Sequence, residues 1–91
     1  MTVCAKITVK GVVQGVGFRY FAQQNAVKFQ LKGYVKNLFN GDVETEVEGD
    51  KGNIMGYYNT LKIGSRFSHV TAIDIRWCEY SAKYNSFKVV C

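Results

Sequence analysis

The chain has 91 residues, of which 47% are hydrophobic, and its formal net charge at pH 7 is +5. This length suits a single globular domain over residues 1–91 and excludes a multidomain enzyme. Lysine and arginine are scattered without any block of like charge, so the charge favours anionic partners but does not indicate a polybasic segment. No apolar run approaches the length that spans a bilayer.

The cysteines are odd in number: Cys4, Cys78 and Cys91. Their odd number argues against a disulfide framework, and the lack of metal-ligand spacing argues against a zinc site. The N-terminal segment alternates and holds no continuous apolar region of the kind found in a secretory signal peptide. We therefore expect a cytoplasmic protein in a reducing compartment, and the role of each cysteine stays open.

The chain opens with an alternating pattern that predicts a strand over residues 3–13, with one apolar face and one polar face. Apolar side chains then recur at helical spacing from Phe21 to about residue 31. Gly33 follows this run, and because glycine commonly ends a helix, we expect the first helix to end there.

A second predicted strand covers residues 33–39, which are rich in aromatic and β-branched side chains. Asn40-Gly41 after it is a strong signal for a tight hairpin. The third strand alternates valine or threonine with an acidic row, which consists of Glu44, Glu46 and Glu48. We interpret the acidic row as a solvated sheet face, because carboxylates two residues apart on an open face cannot acquire the different pKa values of an acid–base pair.

A second helix is predicted from Gly49-Asp50 to Gly64, with an apolar stripe at spacings of three and four residues. Residues 65–69 form a predicted loop that contains the only histidine, His69, for which the sequence offers no catalytic partner. The remaining predicted elements are a strand, a turn and a short last strand, over residues 71–77, 81–85 and 84–90.

This order of elements, β-α-β-β-α-β with a short extra strand, predicts a ferredoxin-like α/β sandwich, which is an α+β fold. If both crossovers are right-handed, the two helices cover one face of an antiparallel sheet of four to five strands. The first strand then lies beside the third. Lys6 and Lys10 on the open face should therefore pair with the acidic row.

The segment from Gly11 to Tyr20, G-V-V-Q-G-V-G-F-R-Y, joins the first strand to the first helix. Its glycines allow backbone N–H groups to turn inward around an anion, and a helix N-terminus adds to such a concavity. Arg19 supplies a permanent charge and a bidentate fork for phosphate. Neither the dinucleotide fingerprint nor the P-loop pattern fits, so the residues alone leave two interpretations, a phosphate cradle or a tight turn with a surface arginine.

Two segments resemble the signatures of the acylphosphatase family: V-Q-G-V-G-F-R over residues 13–19 and G-Y-V-K-N over residues 33–37, with an N-G turn after the second. The resemblance runs from the first strand to the closing F-K-V at residues 87–89, which is nearly the whole chain. It implies hydrolysis of acyl phosphates to a carboxylate and inorganic phosphate, without a metal ion or another cofactor.

By motif position, the resemblance places the phosphate-binding arginine at Arg19 and the water-orienting asparagine at Asn37. It places the rest of the cradle, acting mostly through backbone N–H groups, at Gln14, Gly15, Val16, Gly17 and Phe18. The chain departs from the family pattern at Tyr34, where tryptophan is common, and at Lys36, where arginine is common. The loop over residues 65–69 lacks the usual proline, which leaves its geometry open.

The implied chemistry needs no general acid, because the leaving group is a carboxylate whose acid has a pKa of about 4. Its loose transition state requires positioning and charge stabilisation, which Arg19, backbone N–H groups and a water held by Asn37 would supply. The expected partners are an acyl phosphate and its phosphate product, with no nucleic acid and no membrane, and the domain is expected to be a monomer. The physiological substrate stays open.

Two rival functions share the predicted fold. An RNA-binding module would carry aromatic residues on its third strand, whereas D-V-E-T-E-V-E is acidic and has none. A domain that binds a phosphorylated ligand without turnover would not need both Arg19 and Asn37.

Overall fold

A computed structural model describes residues 1–90, and Cys91, for which the sequence left the role open, lies outside the described residues. The described elements, in chain order, are β1 (Thr2–Val12), α1 (Phe18–Lys28), β2 (Lys32–Asn37), β3 (Val43–Asp50), α2 (Lys51–Ile63), β4 (His69–Cys78) and β5 (Phe87–Val90). His69 is therefore the first residue of a strand and not part of the loop in which the sequence predicted it.

The strands form one sheet in the order β4-β1-β3-β2-β5, and α1 and α2 pack on this sheet and on each other. The ferredoxin-like fold is confirmed. The sheet is mixed and not wholly antiparallel, because β5 pairs parallel to β2. The reason lies in the preceding strand: β4 ends at the end of the sheet where β2 begins, so a chain that crosses there to the far edge must run alongside β2 in the same direction.

The core lies between the helices and one face of the sheet. Ala5, Ile7 and Val9, alternate residues of β1, are fully buried there, as the sequence pattern predicts. Tyr57 from α2 is fully buried too, and its hydroxyl lies 2.9 Å from Thr45 Oγ1 of β3. Burial raises the pKa of the Tyr57 phenol. The buried phenol is thus neutral and hydrogen-bonded, as a polar group in a core must be.

Gly33 does not end the first helix, so that prediction is wrong. The α1 helix ends at Lys28, and the N–H of the next residue, Phe29, donates to the carbonyl oxygen of Asn25 at 3.0 Å. Gly33 lies inside β2 with φ 152°, and a Cβ there would overlap the backbone carbonyl of Glu46 on β3. This glycine therefore allows β2 and β3 to approach closely.

The irregular segment 79–86, which we call the strap, crosses the open face of the sheet between β4 and β5. The predicted turn over residues 81–85 and strand over 84–90 are corrected accordingly. Beneath the strap, Glu46 and Glu48 are only 7% and 4% exposed. The prediction that the acidic row is a solvated face is therefore wrong for these two residues, because no local pattern shows that a distant segment returns to cover them.

Side chains of the acidic row hold the strap in place. The Glu48 carboxylate accepts hydrogen bonds from the N–H groups of Ser81 and Lys83, both at 3.1 Å. Glu46 accepts from the Tyr84 hydroxyl and pairs with Lys83 Nζ at 3.0 Å. Burial alone would raise the pKa of Glu46, but the hydrogen bonds from Tyr84 and Lys83 and the Lys83 charge hold it below its usual range.

The predicted pairing of lysines with the acidic row is correct for one of the two. Lys6 lies directly opposite Glu46 in the register of β1 and β3. Lys10 lies beyond that register and pairs with Asp42 instead, at 2.7 Å.

Cys4 of β1 and Cys78 of β4 are neighbours in the sheet, with Cα atoms 4.7 Å apart, and form a disulfide. The prediction that a disulfide is unlikely is therefore wrong. The two residues are 74 positions apart, and only the strand order brings them together. Counting cysteines cannot reveal such a pair.

Candidate active site

The cradle, residues 14–19, links β1 to α1 at one end of the sheet. Gly15 and Gly17 have φ angles of 75° and 76°, in the left-handed region that favours glycine. Apart from the adjoining residues of the chain, no atom of residues 1–90 lies within 4 Å of the position where a Cβ would stand at either residue. These glycines are therefore required by the conformation of the turn, which leaves open space beside it.

The N-terminus of α1 presents free donors to that space. The first N–H with an acceptor inside the helix is that of Phe21, which donates to the Gly17 carbonyl at 3.1 Å. The N–H groups of Phe18, Arg19 and Tyr20 precede it and have no acceptor within the helix. Gly17 offers no capping side chain, and the first turn holds no acidic residue. The helix end is thus open to an external anion.

Gly11, which the sequence placed at the start of the glycine-rich segment, is not part of this turn. It lies in β1 with φ 125°, where the register with β4 shifts between Lys10 and Gly11. A Cβ at this position would overlap the backbone carbonyl of His69. Its role is to allow close strand packing.

The Gln14 side chain fastens the cradle to the hairpin between β2 and β3. Its Nε2 donates to the carbonyl oxygens of Leu38 and Asp42, each at 2.8 Å. The hairpin itself is closed by the Leu38 N–H, which donates to Asp42 at 2.8 Å, and by the Asn40 side chain, which accepts from the Asp42 N–H. The sequence missed this bracing role, although Gln14 is the one long polar side chain within the glycine run.

Arg19 and Asn37 line the same small cavity, about 130 Å³ in volume. Its walls come from both sides of the cradle turn and from the end of β2, and they comprise Val13, Gly15, Gly17, Phe18, Arg19, Tyr20 and Asn37. Gln14 and Val16 do not line it, since Gln14 reaches the hairpin and Val16 packs against the core. Tyr20 is an addition that the sequence did not single out.

Asn37 carries a buried acceptor without a partner in the described part of the chain. Its Oδ1 is shielded from solvent and accepts no hydrogen bond from residues 1–90. Leaving such an oxygen unpaired costs about 1–3 kcal/mol, so this position favours a ligand or water that can donate to it.

The Arg19 guanidinium is held at the edge of the sheet. Its Nη1 donates to the backbone carbonyl of Val90, on β5, at 3.0 Å. This contact orients the fork and uses one of the five donors of the guanidinium, and no other hydrogen bond of this side chain is seen within residues 1–90. A backbone acceptor contributed from 71 residues away leaves no signal in the sequence.

The proline-free loop has its own means of closure. Ser68 Oγ accepts from the Ser65 N–H at 2.7 Å and donates to the Ser65 carbonyl at 3.0 Å. This double contact fixes the turn before β4.

Two further observations concern residues away from the cradle. Within residues 1–90, Cys4, Glu46 and Cys78 form a group whose potential metal-ligand atoms lie within 4.8 Å of one another, and two of these residues are bonded to each other. This group lies toward the end of β1 remote from the cradle. Among the described helices, none has the length and apolar character needed to cross a membrane.

A family model, curated relatives and a solved structure point to the same family. The family model described as Acylphosphatase matches residues 5–89. An acylphosphatase from Clostridium beijerinckii is 49% identical over 67 residues, 74% of each chain, and one from Caldanaerobacter subterraneus is 40% identical over 83 residues, 91% of this chain and 92% of that protein. The crystal structure of acylphosphatase from Bacillus subtilis superposes with a TM-score of 0.94 at 40% identity over the full length of both chains.

Proposed function

The chain belongs to the acylphosphatase family, and from that premise we propose how the residues of its cradle perform the hydrolysis of an acyl phosphate. The N–H groups at the start of α1 and the Arg19 fork bind the phosphoryl group. Asn37 holds the attacking water. The products are a carboxylate and inorganic phosphate.

The proposal rests on Asn37, which lines the same cavity as Arg19 and whose Oδ1 has no partner among the described residues. We propose that a water donates to this oxygen and directs a lone pair at a phosphoryl group bound across the cavity. The asparagine side-chain amide does not take up a proton at working pH. Its contribution is therefore positional and not that of a base.

The free donors of the cradle support the binding of the phosphoryl group. Backbone N–H groups and Arg19 stabilise the charge on the equatorial oxygens without reorganising during the reaction. No carboxylate in the first turn of α1 competes for these donors. The Arg19 contact to Val90 limits the motion of the guanidinium before substrate arrives, which reduces the entropy lost on binding.

The leaving group supports a mechanism without metal ion or general acid. A carboxylate departs readily because its acid has a pKa of about 4, so no proton has to be delivered to it. A phosphate monoester would expel an alkoxide and would need that proton. We therefore propose that the enzyme discriminates acyl phosphates from monoesters because its cradle binds the phosphoryl group but supplies no general acid to protonate an alkoxide leaving group.

We also propose that the domain acts as a monomer in the cytoplasm. The cavity is lined by residues of one chain, so the proposed site needs no second copy. The Cys4–Cys78 bond argues against a cytoplasmic location, because stable disulfides are rare in a reducing compartment. Size-exclusion chromatography with light scattering, and alkylation of free thiols in freshly lysed cells, test the two statements.

The decisive experiment uses benzoyl phosphate with and without EDTA, and compares Asn37→Ala with Asn40→Ala. Turnover by the unmodified enzyme should be indifferent to EDTA. We expect Asn37→Ala to lower kcat by about 10²-fold or more while inhibition by inorganic phosphate is unchanged, as for one lost preorganised donor. Asn40→Ala, which weakens the adjacent hairpin outside the cavity, should lower the melting temperature with kcat retained. If Asn37→Ala instead behaves like Asn40→Ala, the proposed role is wrong.

A further inference from the structure

Another concavity, about 500 Å³ in volume, lies on the sheet face opposite the helices. It is enclosed by β2, β5 and the end of the strap, and we call it the tyrosine groove. Its lining includes Tyr34, Lys36, Lys83, Tyr84 and Lys88. None of them lines the cavity of the cradle. The size is typical of a small-molecule site, which ranges over about 300–1,000 Å³.

Two tyrosines form an aromatic corner in this groove. The ring centroids of Tyr34 and Tyr84 are 6.1 Å apart and the ring planes meet at 61°. A planar ligand can therefore stack on one ring while meeting the edge of the other, and both arrangements are favourable for aromatic groups.

The tyrosine hydroxyls are already bonded within the protein. Tyr34 donates to Glu44 at 2.7 Å, and Tyr84 donates to Glu46. Burial, these hydrogen bonds and the carboxylate charges all raise the pKa of both phenols, so the rings stay neutral. What the corner offers to a ligand is consequently ring surface held in place, with the Lys36 and Lys83 ammonium groups over the two rings, and not hydroxyl groups.

Lysines surround the aromatic corner. Lys36 lies 3.6 Å from Glu44 and 5.7 Å from the Tyr34 ring centroid, and Lys83 lies 3.0 Å from Glu46 and 5.5 Å from the Tyr84 ring centroid. Each carboxylate is thus matched by one ammonium group. Both lysine side chains are about half exposed, so they can donate to a ligand as well.

Lys88 supplies the charge that is left over. It lies directly beside Tyr34 in the parallel pairing of β5 with β2, and it forms no ion pair with a described carboxylate. Lys88 therefore brings to the aromatic wall of the groove a positive charge that no ion pair with a described carboxylate offsets.

We propose that the tyrosine groove binds a nucleoside monophosphate, with the base stacked in the corner of Tyr34 and Tyr84 and the phosphate bound by Lys88 and its neighbours. A ring and an anion in one molecule complement both features. An anion without a ring leaves the aromatic surface in water, and a ring without charge leaves Lys88 unpaired. Stacking on an aromatic side chain contributes to nucleotide binding in this way elsewhere.

The test measures binding of adenosine 5′-monophosphate by calorimetry, with inorganic phosphate at saturation so that the cradle is occupied. Adenosine, which lacks the charge, and ribose 5-phosphate, which lacks the base, are the matched ligands. We expect the monophosphate to bind about tenfold or more tightly than either, as one stacked base or one charged contact contributes that much. Equal affinity for the three ligands, or no binding, overturns the proposal.

Protein variants then locate the site. Lys88→Gln and Tyr34→Leu should each weaken binding about tenfold, whereas Lys62→Gln on α2 should leave it unchanged. Lys88 is exposed on an edge strand, so its variant keeps the test decisive even if Tyr34→Leu fails to fold.

Arg19→Gln should bind the monophosphate normally. Because Arg19 contacts Val90, which also lines the groove, a loss of binding in Arg19→Gln together with retained binding in Lys88→Gln would place the ligand in the cradle. A single-stranded oligonucleotide that binds more tightly than the monophosphate would make the groove a nucleic-acid surface. Either result overturns the proposal.

Discussion

The cradle and the strap are two irregular segments that both present backbone N–H donors, and they differ in where the acceptor comes from. In the strap, the N–H groups of Ser81 and Lys83 donate to the buried carboxylate of Glu48. In the cradle, the N–H groups at the start of α1 have no acceptor from the helix, and the first turn contains no acidic residue. Backbone N–H donors therefore hold the strap in place, because Glu48 supplies their acceptor. In the cradle, where the helix supplies no acceptor, the same kind of donor is left for a ligand.

The largest expected effect on turnover comes from removing the charge of Arg19 at the cradle. Arg19→Gln should lower kcat/KM for benzoyl phosphate by about 10²–10³-fold, because a preorganised donor to the transition state is lost. Arg19→Lys should fail nearly as badly, since a point charge cannot reproduce a bidentate fork. The melting temperature should not change, as the residue makes one exposed contact. Arg76→Gln, another exposed arginine, is the control. Retention of about half the activity by Arg19→Lys would contradict the bidentate role.

The next largest effect is on stability, and it concerns the disulfide at the strand that leads into the strap. Cys78→Ser removes the link between β1 and the strand that leads into the strap, and we expect it to lower the free energy of unfolding by about 2–4 kcal/mol. Turnover per folded molecule should stay the same. Adding Cys4→Ser to this variant should cost little more, and dithiothreitol should bring the unmodified protein to the same stability. Denaturant titrations measure all four samples, and a fall in kcat that parallels the fall in stability would show that the two segments are coupled.

A smaller effect is expected from substituting Gly15 in the cradle. It distinguishes a cost of backbone conformation from a cost of side-chain size. Gly15→Ala places a Cβ in open space but in a left-handed conformation, so we expect a loss of about 1–2 kcal/mol in stability together with reduced turnover. Gly15→Asn should cost less, because asparagine tolerates this conformation better than alanine. Equal losses for the two variants, measured by thermal unfolding, would mean that side-chain size and not backbone conformation is limiting.

The smallest effect concerns acid stability at the strap. The pKa of Glu46 is lower in the folded than in the unfolded protein, so its carboxylate stabilises the fold above the unfolded pKa of about 4.3. That contribution is lost as the pH falls through the folded pKa. Between about pH 5 and pH 3, Glu46→Gln should therefore lose stability less steeply than the unmodified protein. Melting temperatures over this range check the slopes, and parallel curves would refute the assignment.

The comparison also explains what the sequence could predict. The alternation in β1, the Asn40-Gly41 hairpin and the glycine turn of the cradle are properties of a few consecutive residues, and the structure has each of them. The ferredoxin-like fold follows from the order of such local elements. Arg19 and Asn37 lie together as the two signatures imply, although their catalytic roles remain predictions.

What the sequence missed depends on contacts between distant residues. The burial of Glu46 requires the strap, and the Cys4–Cys78 bond requires the order of the strands. Gly33 shows the same limit at one position, because its glycine is needed for the approach of β3 and not for the helix before it. The Val90 carbonyl that orients Arg19 could not be predicted, since any residue type can supply a carbonyl.

The place of β1 in the sheet has a consequence for how the protein is made. This strand leaves the ribosome before both of its neighbours in the sheet, β3 and β4, and β4 begins only at His69. At a synthesis rate of about 5–20 residues per second, β1 must wait roughly three to ten seconds for that partner. During this time Ala5, Ile7 and Val9 have no complete core to enter. Alternation with lysines and threonine along the same strand keeps the waiting segment charged, which opposes its association with other nascent chains.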